Sequence, residues 1–446
     1  LVGSEMCIRD RNLTGFSQSV FPPKMDLETA VEKALENNPQ AKITDSQIRI
    51  AESKIAEAKT SKQPFVQFNQ SIVRSNNPTF VFSSLLEQGR FGASNFAVNS
   101  LNNPSGLFNF RSQVNAQVPI FDQKQTRSRI TQAEIAKKQM ELQAEMVRQR
   151  LRFDVIRNYY GAVLGNEQLK VNLEAVKSAE ANRKKAKDMV EVGMTTDADF
   201  LAAEVELANA YQQKFEAESN LTTTIAALNI TLGNNPDFES ELIGGLCEKY
   251  FPIEEQDELI RLALENRPEY RRAELAQQIS REQTQAVRNQ KLPSVSAFGN
   301  FGYSSPYIAN GSTDYTVGVN LSYTLFDAGR KMRIEQAAEG ESLAELEKQN
   351  LANQIRLEVI RALQSHRTAR AKIQVSIKTI TQAEEALRII QDRYKFGLTT
   401  FNEVLRAETA LVRAKHNLLM ARYEYYVSYA SVLLATGKLT DVRAFE

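Results

Sequence analysis

Between residues 107 and 120 the side chains alternate. Phe108, Phe110, Val114, Ala116, Val118 and Ile120 are apolar, and Asn109, Arg111, Gln113, Asn115 and Gln117 between them are polar. Residues 315–325 repeat the pattern, with Tyr315, Val317, Val319, Leu321, Tyr323 and Leu325 set against Thr316, Gly318, Asn320, Ser322 and Thr324. A period of two predicts β-strands with one apolar and one polar face. Weaker partner strands are expected at 65–74 and 294–303, with turn-rich stretches at 75–106 and 304–313 inside each pair. Strands of about ten residues with this alternation fit the wall of a transmembrane β-barrel. They also fit a soluble hairpin packed on a helix. Four strands cannot close a barrel, and lipid offers no partner to an open edge, so in a membrane several chains must contribute to one barrel.

After each strand pair the period changes. Residues 123–191 and 328–396 carry uninterrupted helical patterns, each about 100 Å long at 1.5 Å per residue. Ile373, Ile377, Ile380, Leu387, Ile390 and Tyr394 step by fours, threes and seven, and Val404, Leu411, Leu418, Tyr425 and Val432 step by sevens. That spacing predicts helices packed side by side as coiled coils. Gly193 and Gly397 follow the long helices where a left-handed C-cap belongs. Thr196 with Asp199, and Thr400 with Glu403, are spaced as capping boxes that open the return helices.

These features come in pairs because the chain is duplicated. ALENNP at 34–39 returns as ALENRP at 263–268, PIFDQ (119–123) as TLFDAG (324–329), and VGMTTDADFLAAE (192–204) as FGLTTFNEVLRAE (396–408). The pairs Pro39 and Pro268, and Pro64 and Pro293, are 229 apart, whereas Gly193 and Gly397, and Gly233 and Gly437, are 204 apart. The second copy is therefore shorter between the prolines and the strand-end aspartates Asp122 and Asp327. The expected division is a leader at 1–24, a first repeat at 25–233, an inter-repeat linker at 234–256 and a second repeat at 257–446. Asp26 and Asp257 are expected to start the first helix of each repeat, and Pro64 and Pro293 to stop the second near residues 62 and 291.

Composition removes several classes of function. Fifty-five basic against 54 acidic residues leave a net charge of +1, so no global field attracts nucleic acid. No apolar run approaches a membrane-spanning helix. Cys7 and Cys247 are too few for a disulfide framework or thiolate metal site. His366 and His416 each lie alone in helical runs and read as packed or solvated positions. Phosphate-binding, dinucleotide, nucleophile-elbow and metal-histidine motifs are missing, so no catalytic residue, cofactor or metal is expected. The carboxylates read as solvated helix faces. Residues 1–11 are foreign in character to the rest of the chain, and the leader shows neither an apolar secretion-signal core nor a lipid-attachment pattern.

The doubled ALENNP/ALENRP, the PIFDQ and TLFDAGR junctions and the VGMTTDADFLAAE and RYKFGLTTFNEVLRAE turns resemble the TolC-like outer-membrane efflux proteins, over about residues 25–440. The resemblance implies a mainly α fold with four transmembrane β-strands per chain. A homotrimer would build one twelve-stranded barrel and a long coiled α-helical barrel in the periplasm, with 234–256 adding to a belt around it. It implies a passive exit duct in the outer membrane of a Gram-negative bacterium, surrounded by lipid. A periplasmic adaptor and an inner-membrane transporter would open its tip for efflux or type I secretion. The paired turns would be that tip. Glu403 matches an acidic position of the family's inward-facing aperture ring, and Asp199 and Tyr394 match partners in contacts that hold the tip closed. Thr399 stands where some members have an arginine in such a contact, and Arg406 where a second acidic ring can lie.

A soluble coiled-coil scaffold is the competing reading. It accounts for the heptads but not for alternating strands duplicated together with the helices. A periplasmic adaptor would need a lipoyl-like or small β-barrel domain, which the sequence does not contain.

Overall fold

The computed structural model describes residues 24–238, 240–247 and 249–445; the first 23 residues of the expected leader, Cys7 among them, lie outside these. The elements in chain order are β1 (Lys24–Met25), α1 (Leu27–Asn37), α2 (Pro39–Thr60), β2 (Phe65–Ser75), α3 (Pro78–Glu87), α4 (Val98–Asn102) and β3 (Leu107–Asp122). Next come α5 (Gln125–Glu191), α6 (Asp197–Leu232), β4 (Glu241–Leu242), α7 (Gln256–Asn266) and α8 (Pro268–Asn289). The chain finishes with β5 (Ser294–Ser305), β6 (Ser312–Ser322), α9 (Arg330–Lys395) and α10 (Phe401–Ala435). The two long helices expected from periodicity are thus continuous. The described residues form two compact units, each drawing on both repeats: one begins at residue 24 and takes in residues up to 43, 145–267 and those from 354 on, the other 44–144 and 268–353.

The second unit holds an antiparallel sheet in the order β2-β3-β5-β6. The two repeats meet at β3 and β5, where Phe110 pairs with Ser305 and Asp122 with Ser294. The register slips between Pro119 and Phe121. A proline on an inner strand cannot donate to the ladder, and a bulge absorbs the missing bond. Arg111, Asn115, Ser304, Asn300, Asp314 and Thr316 share one face through their pairings. The opposite face carries Val66, Phe68, Ile72, Val317, Val319 and Leu321, each more than 60% exposed. Among the described residues, nothing pairs with the outer sides of the edge strands β2 and β6.

Both long helices start at the duplicated aspartates. The Asp122 carboxylate accepts from Thr126 N at 2.6 Å, and Asp327 accepts from Gly329 N at 3.0 Å and pairs with Arg333. Several expectations change. β6 ends at Ser322, which leaves Tyr323 and Leu325 outside the sheet. The expected turn-rich segment 75–106 contains α3, because Asn77 caps it by accepting from Thr79 N and Phe80 N, with Pro78 at the first helical position. Helix α7 is preceded by Glu255 as N-cap, so Asp257 sits inside the first turn. α2 and α8 stop at Thr60 and Asn289, short of the expected bounds.

The first unit is held by an aromatic core. Phe251 stacks on Tyr429 at 4.2 Å, and Tyr160 packs on Tyr426 at 4.5 Å. Around them lie Val155, Ile156, Tyr159, Leu228, Leu232, Tyr425, Leu439 and Phe445, all buried. The single Tyr159 O–H is shared between Met25 O, 3.1 Å away, and Ile243 O, tying the short β1–β4 pair to this core. His366 is packed there: its Nδ1 lies 3.1 Å from Ser428 Oγ, and burial, with Arg370 nearby, pushes its pKa down to about 4. It is a neutral structural side chain at neutral pH.

The first unit also explains one of the repeated spacings. Gly233, the C-cap of α6, and Gly437, just after the Thr436 C-cap of α10, have φ of 77° and 69°, in the left-handed conformation. A Cβ on Gly233 would lie 2.9 Å from the backbone of Asn37, and one on Gly437 2.9 Å from that of Asn266. The ALENN/ALENR helix ends and these glycines are two halves of one contact, made twice. Gly193 and Gly397 have φ of 71° but open space around the absent Cβ. Gly397→Ala is therefore expected to cost the ~1–2 kcal/mol of a left-handed alanine. Gly437→Ala should cost at least ~1 kcal/mol more, since backbone must also move. Thermal melts of the two variants in detergent check the order.

Candidate functional site at the paired helical turns

Both turns are built alike. At the first, Gly193 N donates to Val190 O (2.9 Å) and Met194 N to Met189 O (2.8 Å). At the second, Gly397 N donates to Tyr394 O (3.0 Å) and Leu398 N to Arg393 O (2.9 Å). The paired bonds satisfy the last carbonyls of α5 and α9 and require the left-handed glycine. Below the turns, Ala203, Ala210 and Ala217 on α6 and Ala407, Ala414 and Ala421 on α10 are all buried, in steps of seven and 204 apart. Side chains this small let neighbouring helices approach closely. Ala186 and Ala203 of the first hairpin pack with Phe401, Leu405 and Tyr394 of the second, so the two hairpins form one body beneath the turns.

The polar groups at the turns differ. Thr196 Oγ1 accepts from Asp199 N at 3.3 Å, as a cap should. The Asp199 carboxylate accepts from Thr195 Oγ1 (2.6 Å) and Thr196 Oγ1 (3.2 Å). The matching box at Thr400 does not form. Thr400 has cap-like backbone angles but no side-chain cap bond, and Glu403 N goes to its backbone carbonyl at 3.2 Å. Glu403, one methylene longer than aspartate, instead turns its carboxylate toward Arg406 at 3.4 Å, exposed to solvent. Arg406 thus meets the charge of Glu403. Tyr394 leans on Phe401 at 5.5 Å, its hydroxyl donates to Met189 Sδ at 3.6 Å, and Lys185 lies over its ring. Burial, then the charge of Asp199, raises the Tyr394 pKa. The structure therefore brings Tyr394 close to the Asp199–Thr195 pair, while Glu403 stands apart on the surface.

One residue of this region escaped the sequence reading. Glu408 is not on a solvated face. Asn182 Nδ2 donates to it at 2.5 Å and Gln391 Nε2 at 3.5 Å. Its counterpart one repeat earlier, Glu204, pairs with Arg183 at 3.0 Å. Leu387 occupies the position 204 residues after Arg183, so Glu408 has lost its arginine. Aligning the two repeats would have exposed that loss. Burial raises the Glu408 pKa, and the nearby Glu206 adds to it; Asn182, Gln391 and Lys185 oppose it. His416 is held similarly to a neighbouring helix, its Nε2 at 2.9 Å from Asn172 Oδ1, and burial lowers its pKa.

The comparisons with known proteins concern the chain as a whole. The family model for outer membrane efflux proteins matches residues 30–234 and 259–438. The chain belongs to that family. The two matched segments fall on the two repeats. Among characterised members, the chain is 24% identical over 286 residues to the outer membrane protein TolC of Vibrio cholerae, 60% of this chain and 64% of that protein. It is 22% identical over 433 residues to the outer membrane efflux protein BepC of Brucella suis, 93% of this chain and 86% of that one. The match spans less than two thirds of the Vibrio TolC and, at 62%, of the CyaE protein of Bordetella pertussis. In fold it is similar to the Campylobacter jejuni CmeC outer membrane channel, with a TM-score of 0.75 at 20% identity, covering 92% of this chain and 85% of that one. The outer membrane protein VceC of Vibrio cholerae gives 0.73 at 17%, covering 92% and 96%.

The raised pKa of Glu408 sets a pH dependence. Its folded value lies above the ordinary 4.5, so the folded chain holds this proton more tightly than the unfolded one. Stability from this group is then fully present below about pH 4.5 and is lost as pH rises through the folded value. Glu408→Gln is expected to melt higher than the parent at neutral pH and equally at about pH 4. Melting curves at the two pH values check it; a gain of equal size at both would mean the group is not titrating.

Proposed function

We propose that the chain is a passive exit duct of the Gram-negative outer membrane. Three copies pool their four-stranded sheets into one twelve-stranded barrel, and the coiled helices continue as a tunnel through the periplasm. The observation that carries the reading is the sheet: its edges β2 and β6 are unpaired, and its apolar face is laid open. In lipid each unpaired backbone group costs several kcal/mol, and only a closed barrel removes the edges. Among the described residues no helix is long and apolar enough to cross a membrane, so the sheet is the element suited to it. Membership of the outer membrane efflux family supports the same reading. A soluble scaffold leaves the exposed Phe68, Val317, Val319 and Leu321 without a purpose.

The paired turns then form the closing tip, with residues 234–256 adding to a belt around the tunnel. A periplasmic adaptor and an inner-membrane transporter supply the opening force, since nothing in the duct itself stores energy. In this arrangement Tyr394 and Asp199 help hold the tip closed, and Glu403 lines the aperture. Three copies of Glu403 favour cations there, and each Arg406 beside it moderates that preference.

Planar-bilayer recordings test both levels. Reconstituted protein is expected to conduct and to prefer cations. Glu403→Ala lowers the cation-to-anion permeability ratio and Arg406→Ala raises it; a ratio indifferent to both removes Glu403 from the aperture. A protein that is monomeric and water-soluble without detergent would defeat the duct reading itself.

A further inference from the structure

Residues 76–106 lie between β2 and β3, whereas only 306–311 lie between β5 and β6. The first repeat thus carries its extra residues at the sheet end away from the long helices, since β3 and β6 run from that end toward α5 and α9. α3, within this insertion, does not project from the sheet. Its C-terminal end lies down on the polar face.

The contacts are specific. Glu87 Oε2 pairs with Arg111 Nη1 at 2.6 Å, and Arg111 Nη2 pairs with Asp314 Oδ1 at 3.3 Å. Ser304 Oγ accepts from Arg111 Nη1 at 3.3 Å and donates to Glu87 Oε2 at 3.4 Å. Gln88 Nε2 donates to Phe108 O at 2.9 Å and to Asn109 Oδ1 at 3.1 Å. Arg111, Ser304 and Asp314 lie on three successive strands, on the face shared with Asn109 and Asn115. Gly302 separates Arg111 from Asp314, and a Cβ there would lie 2.6 Å from the Asp314 carboxylate. The absent side chain is what lets the arginine reach across. Gly89 (φ +66°) then turns the chain directly over Ser312. Edge-on contacts of Phe91 with Phe82 at 4.9 Å and with Phe96 at 5.0 Å brace the rest of the insertion. Val81, Ser84 and Gln88 are buried as a result.

We propose that α3 is a cap on the outward end of the pore, latched to the barrel wall by Glu87, Arg111 and Asp314. It would set what can pass there independently of the tip. The proposal rests on the barrel reading, because only in a closed barrel does the polar face line a lumen. Three helices, each about 10 Å across with side chains, would then project into one mouth. The latch is a half-exposed ion network on a polar scaffold, of modest strength and weakened by salt. It holds the cap without locking it.

The test uses the full chain in intact cells, with Cys7→Ser, Cys247→Ser and Asn115→Cys. Asn115 lies mid-sheet on the polar face, paired with Gln67 and Asn300. Maleimides that cannot cross the membrane reach it only from outside, so the state of the tip is irrelevant. In the parent, a small maleimide is expected to label Asn115→Cys while a polyethylene-glycol maleimide labels slowly. Replacing 76–106 by the sequence of the 306–311 turn should let the large reagent in, and Glu87→Gln should raise its rate about fivefold. Equal rates of the large reagent in parent and shortened chain overturn the cap. If the shortened chain does not assemble, Glu87→Gln decides: an unchanged rate overturns the latch and the cap with it. A shortened chain that not even the small reagent labels rejects the barrel reading instead.

Discussion

Everything in this protein depends on a sheet that cannot be finished by one chain. Four strands with free edges at β2 and β6 leave backbone donors and acceptors unpaired, and the apolar face forbids leaving them in water. In the proposed duct, copies of the chain supply those edges. The internal pairing of β3 with β5 shows how the problem is half solved within the chain, because it joins the two repeats by the same antiparallel ladder. The duct proposed above answers both constraints, since a closed wall would pair the edges and enclose the polar face.

Duplication kept geometry and released polarity. The two glycine turns, the two alanine seams and the two contacts of a left-handed glycine against a helix end are nearly superimposable in their hydrogen bonds and spacings. The charged groups at equivalent places have gone separate ways. Asn38 donates to Thr231 O at 2.9 Å, where Arg267 pairs with Glu358. Glu204 keeps Arg183, where Glu408 turns to Asn182 on the other hairpin. Thr196 caps its helix, and Thr400 does not. Backbone close approaches tolerate no alternative side chain, so they persist. Polar contacts can be exchanged for others of similar strength, so they drift.

The long helices, the four strands, the duplication and the two turns were legible in sequence, because each depends on local periodicity or on a glycine that no other residue replaces. Val317, Val319 and Leu321 alternate whatever surrounds them, and a step of seven defines a seam wherever it packs. Local chemistry also contained α3, in the Asn77–Pro78 pair, but an Asn- and Ser-rich setting disguised it as a turn. What tertiary structure alone decided was the partner of each charge. Only folding could place Glu87 against Arg111, bury Glu408 beside Asn182 and leave Glu403 to Arg406 rather than to its own helix cap. A side chain's period is written in its neighbours along the chain. Its electrostatic partner lies across space, at separations where many carboxylates and cations compete and only the packed backbone selects among them.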